Sequence, residues 1–322
     1  MERTRLGRTD LEVSRLCFGT WQFGGDWGEM EAEDSKAAVR KALDLGVTFF
    51  DTAQGYGWGD SEKTLANALA DDIRRDDVVV ATKGGLRMEG GELKRDASPG
   101  CIRQGVEESL GYLGVEAIDL WQLHWPDSET PPEETGGALK ELTDEGKIRH
   151  VGVSNFSAEE MDALEGEIAV ETLQPPYHLF RRDVERDPLP WCEGHDVGVL
   201  VYGPLAHGLL SGKIDKDWRP AEDDWRAGSD LFSGEGFEPN LEVVERLRGL
   251  AGEHGWSVPQ LAVAWTLSHP AVHVAIVGAR NPEQIEGTAP AGEIRLDDDV
   301  KAEIESIMEG AVGVAGPTPE GV

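Results

Sequence analysis

Short apolar runs alternate with longer stretches of helical periodicity along most of this chain. Apolar runs of this length, bounded by turn residues, are typical of buried strands. The runs predict eight strands, at Arg15–Phe18, Thr48–Asp51, Val78–Thr82, Ile118–His124, Ile148–Ser154, Val170–Gln174, Val197–Tyr202 and Val272–Ile276. Because strands and helical stretches alternate, the pattern predicts a parallel sheet with helical crossovers.

The stretch Ser98–Leu113 shows the helical pattern clearly. Ser98 can cap the first turn, and Pro99 suits the first helical position because an N–H there would have no helical partner. The apolar positions that follow share one face of the helix: Ile102, Val106, Leu110 and Leu113. The sequence therefore predicts a helix over this stretch.

The domain organisation follows from length and pattern together. A chain of 322 residues suits two ordinary domains or one large barrel, and 39% hydrophobic residues can fill a sizeable core. No Pro/Gly/Ser-rich linker divides the chain, and eight strand-helix units suit a closed barrel. We therefore predict an α/β fold: a single (β/α)8 TIM barrel over residues 1–322. An N-terminal hairpin (Arg3–Leu6 and Leu11–Val13), long βα loops and a mobile tail over 310–322 complete it.

The stretch Gly46–Ala66, GVTFFDTAQGYGWGDSEKTLA, contains several side chains that can donate or accept protons or hydrogen bonds. An apolar run ends at Asp51, a glycine-rich turn carries Tyr56, and a helix restarts near Ser61. Ser61 is expected to be the N-cap, with Glu62 placed against the positive end of the helix dipole. Taken alone, the stretch is better explained as a strand end, a turn and a loop aromatic.

Other predicted strands also end on polar residues. In a barrel of this kind, the loops at the carboxyl ends of the strands build the active site. Six strands end on polar side chains: Asp51, Lys83, His124, Ser154 with Asn155, Gln174 and Tyr202. Each could be a solvated strand end, but six convergent ends predict a functional site.

Five segments, in this order and spacing, resemble the aldo-keto reductase family: DTAQGYG, ATKGG, SLGYLGVEAIDLWQLHWPD, GKIRHVGVSNF and YGPLAHGLL. The resemblance extends from about Leu6 to Ala289. It implies an NADP(H)-dependent oxidoreductase that reduces an aldehyde or ketone to an alcohol, reversibly. It also implies a catalytic set: Asp51, Tyr56, Lys83 and His124.

The chemistry of this set can be argued from the side chains. Hydride transfer to a carbonyl builds negative charge on its oxygen, so the site needs a proton donor and a polarising group. Tyr56 can donate the proton, and a nearby Lys83 ammonium makes the phenol more acidic. Asp51 would hold Lys83, and His124 would orient the substrate oxygen. The alternative is a structural ion pair and a core histidine.

The resemblance also implies the cofactor contacts. Ser154, Asn155 and Gln174 would hold the nicotinamide carboxamide, and Tyr202 would stack on its ring. The pyrophosphate would lie against the backbone of a segment containing Gly203, Leu205, Gly208, Leu210 and Gly212. The adenosine end would lie against Gly278, Arg280 and Gln284.

Arg280 would pair with the 2′-phosphate of NADP(H), because a guanidinium matches a phosphate in geometry. Gly287 and Thr288 stand where the family often has Glu-Asn. For that reason NAD(H) is the alternative cofactor.

The substrate class is a small-molecule carbonyl or alcohol. Trp21 and Trp125 are expected to line its pocket, with specificity set by the loops Trp21–Met30 and Gly203–Asn240. No metal site is predicted, because Pro270 between His269 and His273 disfavours a shared helical face. Two other functions stay open: a nicotinamide-binding sensor or regulatory subunit on the same fold, and a barrel enzyme without a cofactor.

Charge and cysteine usage limit the partners and the compartment. The chain has 62 acidic and 30 basic residues, a net charge of −32. Such a field repels nucleic acid and anionic lipid, so neither is an expected partner. Spread-out acid with few lysines resembles proteins of salt-loving organisms and predicts an acidic, halophilic surface. The three cysteines show no CxxC spacing and no apolar signal sequence is evident, so a reduced, cytoplasmic protein is expected.

Overall fold

Eight parallel strands close into a barrel in the computed structural model, which describes residues 1–25, 27–28, 30–221, 224–229 and 231–314. The N-terminal hairpin strands are β1 (Arg3–Arg5) and β2 (Glu12–Ser14). The barrel strands are β3 (Leu16–Gly19), β4 (Phe49–Asp51), β5 (Val79–Gly84), β8 (Ile118–Leu123), β9 (Ile148–Ser154), β10 (Thr172–Gln174), β11 (Gly198–Val201) and β12 (Val274–Gly278). The last of these pairs with the first and closes the barrel. The predicted (β/α)8 fold is confirmed, and each predicted strand overlaps an observed one.

A second hairpin interrupts the alternation after β5. It consists of β6 (Leu86–Glu89) and β7 (Glu92–Arg95), which pair antiparallel. The sequence pattern did not predict it, because only Leu86 of β6 is buried and the hairpin lacks a buried face.

Helices connect the barrel strands on the outside. They are α1 (Ala32–Asp44), α2 (Asp60–Leu69), α3 (Pro99–Leu113), α4 (Pro132–Asp144), α5 (Ala158–Glu165), α6 (Leu189–Gly194), α7 (Phe237–Glu253), α8 (Val258–Leu267), α9 (Pro282–Thr288) and α10 (Asp298–Met308). The predicted helix is α3: the Ser98 hydroxyl accepts the Cys101 N–H, and the helix ends at Gly114 in the left-handed conformation. No helix among these described ranges is long and apolar enough to cross a membrane.

The N-terminal hairpin closes the amino end of the barrel. Its side chains Leu6, Leu11 and Val13 are buried with inward-facing residues of the barrel strands. The hairpin turn lies so close to β11 that a Cβ on Gly7 would approach the Gly198 nitrogen to 2.2 Å. The functional end of the barrel is therefore the opposite one, where the strands finish.

The start of α2 differs from the prediction for Ser61. The helix begins at Asp60, and its N-cap is Gly59 in the left-handed conformation. Ser61 is instead buried, and its hydroxyl contacts Thr20 at 2.8 Å and Thr52 at 3.0 Å. Ser61 therefore ties helix α2 to the ends of strands β3 and β4 rather than capping the helix.

The two irregular segments predicted from the sequence are described only in part. Within 203–240, short 3-10 turns lie at Ala206–Ser211 and Trp225–Gly228, and α7 begins at Phe237. Residues 222, 223 and 230 lie outside the described part. Of the predicted mobile tail, 315–322 lie outside it too, whereas the Val312 and Val314 amides donate to Asn240 and Phe180.

Candidate active site

The predicted catalytic residues meet at the carboxyl end of the barrel. The register of the parallel strands places Asp51 beside Gly19 and Ala81, and Lys83 beside Gln122. His124 follows the last residue of β8, and its amide donates to the Gly84 carbonyl at 2.9 Å. Three neighbouring strands therefore deliver an acid, an ammonium and an imidazole to one place.

Asp51 and Lys83 form a buried ion pair. The Lys83 side chain is fully buried, and its Nζ lies 2.6 Å from Asp51 Oδ2 and 2.9 Å from the Thr52 carbonyl. Gln174 Nε2 donates to the other carboxylate oxygen at 2.8 Å. Each oxygen of Asp51 thus has a donor, as a buried charge requires.

Tyr56 and His124 lie next to this pair. Lys83 Nζ is 5.0 Å from the Tyr56 ring centroid, and the Tyr56 and His124 rings meet edge to face at 5.7 Å. Both side chains are buried. The four residues are therefore close enough to act on one carbonyl group.

Two glycines allow Tyr56 this position. The loop after β3 crosses behind the tyrosine so closely that a Cβ on Gly24 would approach the Tyr56 carbonyl carbon to 2.7 Å. Gly57 adopts a φ of 64°, and a Cβ there would approach the Gly24 oxygen to 2.9 Å. Any larger residue at either position would displace the tyrosine.

The residues expected to hold the nicotinamide form one hydrogen-bonded chain. The Tyr202 hydroxyl donates to Asn155 Oδ1 at 2.8 Å, and Asn155 Nδ2 donates to Ser154 Oγ at 3.1 Å. Ser154 Oγ donates to the Gln174 carbonyl at 2.9 Å. Asn155 Nδ2 also donates to the His124 carbonyl at 3.1 Å, which joins these residues to the predicted catalytic group.

The segment expected to hold the pyrophosphate has little side-chain cover. Gly203, Gly208 and Gly212 have positive φ angles of 69°, 104° and 73°, conformations that favour glycine. Leu210 is buried and Leu205 half-buried, so both pack inward and leave the backbone to face outward. Arg248 Nη2 donates to the Gly212 carbonyl at 3.1 Å and also pairs with Glu245, so it holds one end of the segment in place.

The residues expected at the adenosine end form a second cluster, at the end of β12. Arg280 is exposed, and its backbone N–H donates to Gln284 Oε1 at 2.7 Å. Gln284 lies on α9, as predicted. Gln22, which the sequence did not indicate, bridges the carbonyls of Gly19 and Ala279 and lies against Gly278.

Tryptophan rings lie beside the predicted catalytic residues. The Trp21 ring lies 6.3 Å from Tyr56 and stacks on Trp225 at 5.9 Å, and Trp27 meets both tryptophans edge to face. Trp125 is buried beside His124, with the Arg95 guanidinium 4.8 Å from its ring. Trp225 lies in the predicted specificity loop Gly203–Asn240, but no pattern in the sequence distinguished it from the other residues of that loop.

Gln122 is a second residue that the sequence analysis missed. Its Nε2 lies 3.5 Å from Asp51 Oδ1, and its Oε1 accepts from Gln174 at 3.4 Å. A signal existed, because Gln122 precedes His124 by two residues on a strand and so shares its face.

Cys17 lies within the barrel close to the ion pair. Burial raises the pKa of the Cys17 thiol well above its ordinary value, and the negative charge of Asp51 raises it further. The thiol therefore stays neutral and acts as a small apolar side chain.

The described residues contain no group of three or more His, Cys, Asp and Glu side chains that could hold a metal ion. The two histidines after α8 have separate surroundings. His273 Nδ1 accepts the Val199 N–H at 3.1 Å, and His269 packs edge-on against Tyr177.

Comparison with known proteins agrees with this geometry. The family model described as the aldo/keto reductase family matches residues 15–309. Aldo-keto reductase YhdN of Bacillus subtilis is 40% identical over 97% of this chain and 95% of its own length. The NADH-specific methylglyoxal reductase of Escherichia coli is 33% identical over 92% of this chain and 95% of its own.

A solved structure agrees in fold and sequence. The glycerol dehydrogenase AKR11B4 of Gluconobacter oxydans superposes with a TM-score of 0.90 at 39% identity, covering 98% of both chains. None of these relatives supports the sensor alternative. The chain therefore belongs to the aldo/keto reductase family, and it is an oxidoreductase that reduces carbonyl groups with a nicotinamide cofactor.

Proposed function

We propose that Tyr56 is the proton donor for reduction of a small aldehyde or ketone, with NADP(H) as the cofactor. The observation that carries the proposal is the position of Tyr56. It lies beside both His124 and a lysine whose charge is held by Asp51.

Each residue has a separate role in this scheme. The buried Lys83 ammonium stabilises a developing phenolate, so it helps Tyr56 to release its proton to the substrate oxygen. Asp51 keeps the ammonium fixed, because removing either partner would leave a charge buried without compensation. His124 orients the carbonyl oxygen toward Tyr56, and the tryptophan rings exclude water from it.

The residues present fit a nicotinamide cofactor. The chain of amide and hydroxyl groups from Ser154 to Tyr202 offers donors and acceptors for a carboxamide. Gly203, Gly208 and Gly212 have no side chain, so the backbone of 203–212 permits close approach of a pyrophosphate. When bound, the cofactor supplies the hydride.

Arg280 supports NADP(H) over NAD(H) in this proposal. Its guanidinium is exposed at the end of β12, on a loop fixed by the hydrogen bond between its own amide and Gln284. A fixed, exposed arginine suits a terminal phosphate. NAD(H) remains the alternative, since one relative is NADH-specific.

The substrate we propose is small and carries a second oxygen beside its carbonyl group. The relatives named above act on methylglyoxal and on glycerol, both three-carbon compounds with neighbouring oxygens. The rings of Trp21, Trp27 and Trp225 pack against one another, and Trp21 lies against Tyr56, so we expect them to disfavour a substrate with a bulky substituent.

Domain organisation, compartment, partners and surface charge complete the proposal. We propose that the chain acts as a single domain in the cytoplasm, without nucleic acid or membrane partners. Its net charge of −32 is proposed to be an adaptation to high salt.

The function is tested by following NADPH and NADH oxidation at high salt against small dicarbonyls, hydroxyaldehydes, bulky aromatic aldehydes and sugars. We expect the highest kcat/KM with NADPH and a three-carbon oxygenated carbonyl. Failure to oxidise either cofactor with every substrate, despite nucleotide binding, would contradict the proposed function.

A further inference from the structure

A buried carboxyl group lies behind the catalytic lysine and has no part in the scheme above. Glu62, in the first turn of α2, is fully buried. Its Oε1 accepts the hydroxyl proton of Thr82 at 2.6 Å. Thr82 directly precedes Lys83 on β5, so Glu62 holds the strand that carries the lysine.

The other carboxyl oxygen has no hydrogen-bond partner in the described part of the chain. Glu62 Oε2 and Ser109 Oγ on α3 are both buried and unpartnered there. A carboxylate buried without a cation within ion-pair distance is costly even where hydroxyl groups donate to it, whereas the protonated acid buries no charge and can donate to the Ser109 oxygen after a small rotation. The geometry thus favours the acid form.

Burial and the groups around Glu62 together raise the pKa of its carboxyl group. Burial raises the pKa of the Glu62 carboxyl, and the negative charge of Glu108 on α3 raises it further. The hydrogen bond from Thr82, the nearby Ser109 hydroxyl and the charge of Lys83 lower it, but the net shift is upward. Glu108 itself accepts from the side-chain amide of Gln54, and the backbone N–H of Gln54 donates to the Lys83 carbonyl at 2.9 Å.

We propose that Glu62 is a positioning residue for carbonyl reduction: as an uncharged acid it fixes Thr82, and through it Lys83, while Asp51 remains the anionic partner of the lysine. This inference rests on the proposed role of Lys83. It explains why an acid is buried where no cation reaches it within ion-pair distance among the described residues. A second carboxylate behind Lys83 would favour the protonated phenol of Tyr56 and oppose release of its proton.

The protonation state is tested without turnover. The infrared difference spectrum between wild type and Glu62→Gln at neutral pH is expected to contain the carbonyl band of a protonated carboxylic acid. A carboxylate band in its place would overturn the proposal. This measurement does not depend on catalysis, so it separates failure of the inference from failure of the proposed function.

The positioning role is tested by kinetics. Glutamine reproduces the neutral acid, because its oxygen can accept from Thr82 and its NH₂ can donate to Ser109. We expect Glu62→Gln to keep kcat within about twofold and to leave the pH profile unchanged. Glu62→Leu and Thr82→Val should each lower kcat about tenfold, with the Kd for NADPH unchanged, because the lysine loses its fixed position.

The control is Glu107→Gln, an exposed acid on α3 that pairs with Lys147. It should leave kcat and its pH profile as in wild type. The proposal fails if Glu62→Gln moves the alkaline limb of kcat to lower pH by more than about half a unit, since this is the expected effect of removing a negative charge near Lys83. It also fails if Thr82→Val, which keeps Glu62, retains full kcat.

Discussion

At the scale of single residues, the site depends on polar groups that are buried with partners. Asp51 has donors on both oxygens, and Lys83 has two acceptors. Asn155, with a φ of 63°, joins Tyr202 to Ser154 and His124. Such groups are held in place by contacts within the protein, as a preorganised site requires.

Residue-level prediction was strongest where the side chain ends a strand. Asp51, Lys83 and His124 could be predicted because parallel strands deliver their last residues to the same end of the barrel. Ser61 was misassigned as an N-cap, because the sequence does not reveal that Gly59 takes the left-handed conformation. Glu62 gave no sign that it would be buried, since an acid in the first helical turn is usually solvated.

Arg280 gives a prediction on cofactor choice. We expect Arg280→Leu to raise the Kd for NADPH about tenfold and to leave the Kd for NADH unchanged, because only NADPH carries the 2′-phosphate. Fluorescence titration of each nucleotide measures both values. Arg74→Leu, which removes an exposed arginine shortly before the start of β5, is the matched control. Equal weakening of both nucleotides would contradict the assignment.

At the scale of elements, strands were predicted well and loops poorly. Barrel strands are buried on both faces and so appear as short continuous apolar runs, as at Val79–Gly84. The β6–β7 hairpin and the Trp225–Gly228 turn lack such a run, since their residues face solvent or other loops. Loop conformation depends on contacts between distant segments, such as Trp21 with Trp225, which no local pattern encodes.

The N-terminal hairpin carries a pH-dependent contact. His150 on β9 contacts Asp10 of the hairpin turn through Nε2 at 2.8 Å and Glu171 through Nδ1 at 2.9 Å. Burial lowers the pKa of His150, but the hydrogen bonds and charges of Glu171 and Asp10 outweigh it, and the net shift is upward. Only the imidazolium can donate to both carboxylates.

We therefore expect His150 to contribute its full stabilisation of the fold below the pKa of an unfolded histidine, about 6.5. The contribution should be lost as the pH rises through the higher pKa that His150 has in the folded protein. His150→Gln should lower the free energy of unfolding by about 1 kcal/mol at pH 6 and by less at pH 9. Denaturant titrations at the two pH values measure the difference. His195→Gln, at a surface histidine after α6, is the control. An equal loss at both pH values would contradict the account.

At the scale of the whole molecule, salt should affect the acidic surface charge and the buried ion pair of the site differently. The net charge of −32 is spread along the sequence, whereas the ion pair Asp51–Lys83 is shielded inside the barrel. Surface repulsion is screened by salt, but a buried pair is screened much less. Salt should therefore change the stability of the fold more than it changes the rate of carbonyl reduction.

This separation predicts a strong salt dependence of stability. Raising KCl from 0.1 M to 2 M should increase the Tm by about 5 °C or more, because screening weakens repulsion among the surface carboxylates. Differential scanning calorimetry measures the shift, and NaCl at the same concentrations serves as a comparison. A Tm that stays constant or falls in both salts would contradict the proposed salt adaptation.

The central claim is that Tyr56 donates the proton. The most direct measurement is steady-state NADPH oxidation by Tyr56→Phe at high salt, together with NADPH binding. The control is Tyr112→Phe, at a tyrosine on α3 whose ring lies 4.5 Å from Lys63 Nζ. Removing the one hydroxyl should lower kcat at least about a hundredfold and leave the Kd for NADPH within about twofold, whereas Tyr112→Phe should match wild type. A Tyr56→Phe enzyme that retains wild-type kcat would contradict the account.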